Sequence, residues 1–136
     1  MSIALLNGRV LRADTFVRGQ GVLIEQGRIV DVLPADDARC RAAQPYDLGG
    51  GLLLPGFIDL QVNGGGGVLF NDAPSVESIR AIGAAHRRFG TTAFLPTLIS
   101  ADLDIVARAI AAVRSAMRST TGSVCSPSTM MPQKLR

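Results

Sequence analysis

Three polar residues, Asp59, Gln61 and Asn63, stand at alternate positions of the otherwise apolar run FIDLQVN, and four consecutive glycines, Gly64–Gly67, follow directly. Alternate side chains of a strand share a face, so the acid and the two amides are expected to point one way and Leu60 and Val62 the other. Their oxygens could ligate a cation, hold a water or bind a substrate, although Gln and Asn are weak ligands for a transition metal beside His. The plainer alternative stands next to this one: three polar groups that satisfy backbone groups in a buried interior. The glycines allow a tight turn or the close approach of a ligand. They do not make a P-loop, because Val68-Leu69-Phe70 brings no Lys followed by Ser or Thr. Nor do they make a dinucleotide fingerprint, since Leu69 stands where the third glycine belongs.

The remaining chemistry-bearing residues are sparse. His86 is the sole histidine and sits beside Arg87 and Arg88 inside a helical pattern, which suits a surface or half-buried residue better than a metal ligand, because a metal needs several converging donors. Cys40 and Cys125 lie far apart, in no metal-like spacing and with no nucleophile context, as expected for reduced thiols in a cytoplasmic protein.

Length and composition set the frame for these groups. A chain of 136 residues that is 47% hydrophobic is expected to fold, and its length suits about one domain. The net charge of +3 arises from 14 basic against 11 acidic residues scattered along the chain, with one Tyr and no Trp, so nucleic acid is not an expected partner. The start, MSIALLNGRV, has too short an apolar run for a signal peptide, and no window reaches the roughly 18 apolar residues of a membrane span.

The elements that must position the polar trio change character near residue 54. Over 1–54 the sequence reads as short antiparallel strands with tight turns, with a hairpin expected at Asn7-Gly8 and a weaker turn signal at Gln26-Gly27. A polar loop over 34–47 contains DDARCRAAQ, with room for one helical turn. From Leu52 the chain reads β, α, β, α. The apolar LLLPGFIDLQV leads to a helix over 75–89, N-capped by Ser75, with Ile79, Ile82, Ala85 and Phe89 on one face and Gly90 at its C′ position. TTAFLPTLIS is a second strand, and residues 102–118 form a second helix through Ile105, Ala109, Ala112, Val113 and Met117. That order predicts parallel strands with crossover helices, buried on both faces. The fold class expected is thus α/β, with polar groups at the C-terminal end of the first parallel strand, where barrel and doubly wound folds place their sites.

Residues 119–136 fit neither pattern. They hold the only lysine, Lys134, together with Met130, Met131, Pro127 and Pro132. Two readings stay open: an ordinary C-terminal tail, or a natural sequence interrupted near residue 120 by a frameshift or an early stop.

LLLPGFIDLQVNGGGGVLFND followed by FGTTAFLPTLIS resembles the start of the catalytic barrel of N-acetylglucosamine-6-phosphate deacetylases, in the amidohydrolase superfamily. LLNGRVL and GVLIEQGRIVDVLPA are similar to the small β domain that begins those enzymes, so the resemblance covers 1–118. It implies a β-sandwich-like module over 1–54 and the first two β/α units of an incomplete (β/α)8 barrel over 55–118. Gln61 and Asn63 stand where the wider superfamily has a metal-binding His-x-His, so they would line the site as weak ligands or none, and Asp59 would support them. Asn63, Gly64 and Gly65 would face substrate. The resemblance also implies a divalent metal, zinc, held in the full-length family by a Glu and two His on later strands, and a later Asp as general base. It further implies a homo-oligomeric enzyme that cleaves N-acetylglucosamine 6-phosphate to glucosamine 6-phosphate and acetate.

A (β/α)8 barrel needs about 250 residues, so most of that barrel is expected to be missing here. The expectation is therefore a truncated deacetylase that binds no metal and has no catalytic residue of its own. The alternatives are a sugar-phosphate-binding module and a non-catalytic interaction module.

Overall fold

The computed structural model describes residues 1–120. They divide into two compact units, Met1–Pro55 and the residues from Gly56 onward. The first unit runs β1 (Ser2–Leu6), β2 (Arg9–Arg12), β3 (Thr15–Val17), β4 (Gln20–Glu25), β5 (Arg28–Pro34), α1 (Ala38–Ala42), β6 (Gln44–Asp47) and β7 (Leu52–Leu53). A four-stranded sheet has the order β5-β4-β1-β6 and a three-stranded sheet the order β3-β2-β7.

Strand β4 is central, and its sequence shows why. Val22 and Ile24 share a core with Val10 of the other sheet, whereas Leu23 packs with Ala4, Leu33, Cys40 and Ala43 beside α1. Both faces are covered, so Gly21-Val22-Leu23-Ile24 is buried throughout and shows no alternation. Gly21 is required there, since a Cβ would lie 2.6 Å from the Cys40 Sγ. Asp37 caps the short α1 by accepting a hydrogen bond from the Arg39 N–H at 2.8 Å.

Two expectations for this unit need correction. The module is mixed rather than antiparallel, because β1 pairs with β6 and β2 with β7 in parallel. The polar loop over 34–47 thus supplies a helix and a strand. Nor does Asn7-Gly8 form a hairpin: both edges of β1 are taken, by β4 and β6, and β2 passes into the other sheet. Asn7 takes a positive φ of 58° and its carbonyl accepts from Gly50 N–H at 2.7 Å. The weaker signal is the one that makes the hairpin. Gln26 and Gly27 take φ of 50° and 75° and join Glu25 to its partner Arg28.

The second unit contains β8 (Phe57–Val62), β9 (Gly64–Gly65), β10 (Val68–Leu69), α2 (Val76–Arg87), β11 (Thr91–Pro96) and α3 (Leu103–Thr120). Strands β8 and β11 are parallel and joined through α2. Ser75 caps α2, its side chain accepting from Ser78 N–H at 3.1 Å, and Gly90 takes φ of 92°, two residues beyond the C-cap Arg88. Val62, Phe70, Ile82 and Ala109 form the core of this unit. The expected burial of both strand faces does not hold. Val62 is 2% exposed, but Ile58, Leu60 and Leu95 are 67%, 70% and 56% exposed. Phe89 and Met117, assigned to the helices' apolar faces, are also exposed. Helix α3 runs two residues past Arg118, so Ser119 and Thr120 are helical, and the rest of the expected irregular tail lies outside the described residues. The described chain is thus mixed α/β with a strand-rich N-terminal module, and none of its helices is long and apolar enough to cross a membrane.

Candidate functional site

The three residues of the polar trio, on β8 and just after it, have different surroundings. Asp59 is half-buried and accepts a hydrogen bond from the Gln61 N–H at 3.1 Å through one oxygen, while its other oxygen lies 3.9 Å from Nδ1 of His86 on α2. The Gln61 side chain is exposed. Asn63 is half-buried, and its Nδ2 donates to the Thr97 carbonyl at 3.0 Å, just beyond the end of β11. The Asn63 carbonyl accepts from Phe70 N–H at 2.8 Å, and Thr97 N–H donates to the Val62 carbonyl at 2.8 Å. Asn63 therefore clasps the C-terminal ends of both parallel strands, and its Oδ1 has no hydrogen-bond partner among the described residues.

The glycine run is an ordered arm. Gly64 and Gly65 pair antiparallel with Leu69 and Val68, and the turn between them has Gly66 and Gly67 at φ of 62° and 80°. Glycine takes such angles at no steric cost, so the sequence favours the tight turn here. His86, expected as a surface or half-buried residue, is half-buried, 28% of its side chain exposed. Its Nε2 lies 3.0 Å from the Gly64 carbonyl, and its ring stacks on Phe94 with centroids 6.4 Å apart. That link across 22 residues carries no local sequence signal.

Asn71 also escaped the sequence reading. Its Nδ2 donates to the Ile99 carbonyl at 3.0 Å and its Oδ1 accepts from Ile99 N–H at 2.9 Å, imitating a strand pairing between the loops that follow the glycine arm and β11. The only available hint was its type, since an amide is the one neutral side chain able to donate and accept in this way. Cys40 stays apart from all of this. It is 1% exposed, and burial pushes its thiol pKa up, with the Asp37 charge adding to the shift, so it is a packing residue and not a nucleophile.

No established protein-family profile matches the chain. Individual proteins do. It is 40% identical over 110 residues to an N-acetylgalactosamine-6-phosphate deacetylase of Shewanella sp., an alignment covering 80% of this chain and 28% of that protein. It is 36% identical over 114 residues to an N-acetylglucosamine-6-phosphate deacetylase of Haemophilus influenzae, covering 84% and 30%. The crystal structure of N-acetylglucosamine-6-phosphate deacetylase from Pasteurella multocida superposes with a TM-score of 0.81 at 31% identity, over 87% of this chain and 31% of that one. The chain is homologous to the N-terminal part of N-acetylglucosamine-6-phosphate deacetylases. It spans less than a third of the length of the relatives it matches.

The divalent metal that the sequence resemblance implies would need several donors converging at one place. Among the described residues no three of His, Cys, Asp and Glu gather into a group that could hold a metal ion. What the polar trio offers beyond Asp59 is two neutral amides, whose oxygens are poor ligands for zinc. The described part of this deacetylase homologue does not fit a metal centre.

Proposed function

We propose that this chain is the N-terminal portion of an amidohydrolase-type deacetylase acting on N-acetylated hexosamine 6-phosphates, N-acetylglucosamine 6-phosphate foremost, in the cytoplasm. In this reading residues 1–54 are its small β domain and 55–118 the first two β/α units of its (β/α)8 barrel. Asn63 and the Gly64-Gly65 arm contribute to the substrate side of the site, with Gln61 beside them at the rim. Asn63 Oδ1 suits a sugar hydroxyl or the acetamide N–H, and the arm, lacking side chains, lets a ligand approach its backbone. The complete enzyme is read as a homo-oligomer.

The same residues argue that the 136-residue polypeptide does not hydrolyse the amide by itself. Acetamide cleavage needs an activated nucleophile, a base and polarisation of the carbonyl. Gln61 and Asn63 are neutral amides that neither accept a proton nor attack. Asp59 is engaged by the Gln61 N–H and faces His86.

The observation that carries the reading is the amide clasp at the C-terminal ends of two parallel strands joined by a crossover helix. It is supported by the homology over 110 and 114 residues to the two deacetylases and by the 0.81 TM-score. A chimera tests it, with residues 1–118 replacing the matching portion of the Haemophilus influenzae relative. Acetate release from N-acetylglucosamine 6-phosphate is expected from the chimera and not from the 136-residue chain. A folded chimera that releases none would refute the reading, and release by the chain alone would refute its inactivity.

A further inference from the structure

We propose that His86 is the positioning residue of the glycine arm. It fixes the Gly64-Gly65 backbone through a hydrogen bond donated from Nε2 to the Gly64 carbonyl, and the role it gives the arm in substrate binding rests on the reading above. The Gly64 carbonyl can only accept, so the 3.0 Å contact requires the proton on Nε2. The ring has a neighbour on three sides. Asp59 lies 3.9 Å from Nδ1, Phe94 stacks against one face at an interplanar angle of 17°, and Gly64 receives the donor. Gly65 completes the fit, since a Cβ there would lie 2.8 Å from both Cδ2 and Nε2 of the ring. A side chain at 65 would have to push a pinned imidazole away, so glycine at this position is a packing requirement of His86 as well as an opening toward ligand.

The arm needs such an anchor. It is a two-residue pairing closed by Gly66 and Gly67, and glycine loses more conformational freedom on ordering than any other residue. A tether from α2 supplies the order that the arm's own side chains cannot.

Because His86 is the only histidine of the chain, isotope-labelled full-length protein gives one set of imidazole signals. The expected spectrum shows Nε2 protonated, with that proton exchanging slowly and coupled to the Gly64 carbonyl carbon. His86→Leu should broaden or shift the Gly64–Gly67 amide signals, and His86→Gln, which keeps a donor, should restore them in large part. Gly65→Ala should lower the melting temperature in the natural background and much less in His86→Ala. An imidazole lacking the Nε2 proton, or arm amides unchanged in His86→Leu, would overturn the proposal, as would equal damage from Leu and Gln. Titration with N-acetylglucosamine 6-phosphate separates the two readings. Arm amides that respond to His86 variants but not to the sugar phosphate sink the substrate reading and leave the tether standing.

Discussion

The two units handle apolar strand surface differently. In the first, β4 lies between a second sheet and α1, and Val22, Leu23 and Ile24 are each no more than 6% exposed. Its exposed apolar strand residues, Phe16, Val17, Ile29, Val30, Tyr46 and Leu52, all sit on the edge strands β3, β5, β6 and β7. In the second, β8 and β11 form a two-stranded parallel sheet, and Ile58, Leu60 and Leu95 stay more than half exposed. Leu60 and Leu95 border a groove with Phe70, Leu98, Val106 and Ile110. Parallel sheets normally have both faces covered, so the second unit displays a surface whose composition suits a core. A strand's sequence thus records the burial it is built for, even where the described residues leave it exposed.

Variants can break that comparison or sharpen it. The largest effect is expected where the second unit does have a core. Ile82 is fully buried, so Ile82→Ala should cost about 2–5 kcal/mol in denaturant unfolding, matching Leu23→Ala in the first unit. A loss below 1 kcal/mol would show that the second core is loosely formed. Ser75→Ala removes the N-cap of α2 and should cost about 1 kcal/mol. Asn63→Leu removes the donor to the Thr97 carbonyl and should cost about 1 kcal/mol as well, with amide exchange rising near Thr97. Leu60→Ser tests the exposed face directly, because a side chain 70% in water should tolerate the change within about 0.5 kcal/mol. A penalty of several kcal/mol would mean that something covers Leu60 in solution.

The smallest effect is electrostatic. Burial raises the Cys40 thiol pKa, so the folded chain keeps that proton to higher pH than the unfolded chain does. Above roughly pH 8.5, where an ordinary thiol starts to ionise, the unfolded state releases a proton that the folded state retains. Stability of the first unit should therefore fall as pH rises through this window. The slope should be shallower in Cys40→Ala, measured by urea unfolding at several pH values, and identical slopes would contradict the assignment.

Several features were legible in the sequence because contiguous residues decide them. Ser75 caps α2 through its own side chain, Gln26-Gly27 closes a hairpin by its tolerance of positive φ, and Gly66-Gly67 turns the arm for the same reason. The motif set around 52–100 carried the homology. The partners of those elements were not legible. Asn7-Gly8 has stronger hairpin chemistry than Gln26-Gly27 and makes no hairpin, because β4 and β6 occupy both edges of β1.

The candidate site divides along the same line. Sequence alone determined that an acid, two amides and a glycine run would stand together where a parallel strand ends. Only the tertiary structure sent Asp59 toward His86, Asn63 to Thr97 and Asn71 to Ile99, across 27, 34 and 28 residues of chain respectively. Turns and caps are settled by energies among near neighbours, which a short window contains. A long-range hydrogen bond depends on which elements pack side by side, and that is decided by the summed burial of residues no single window holds.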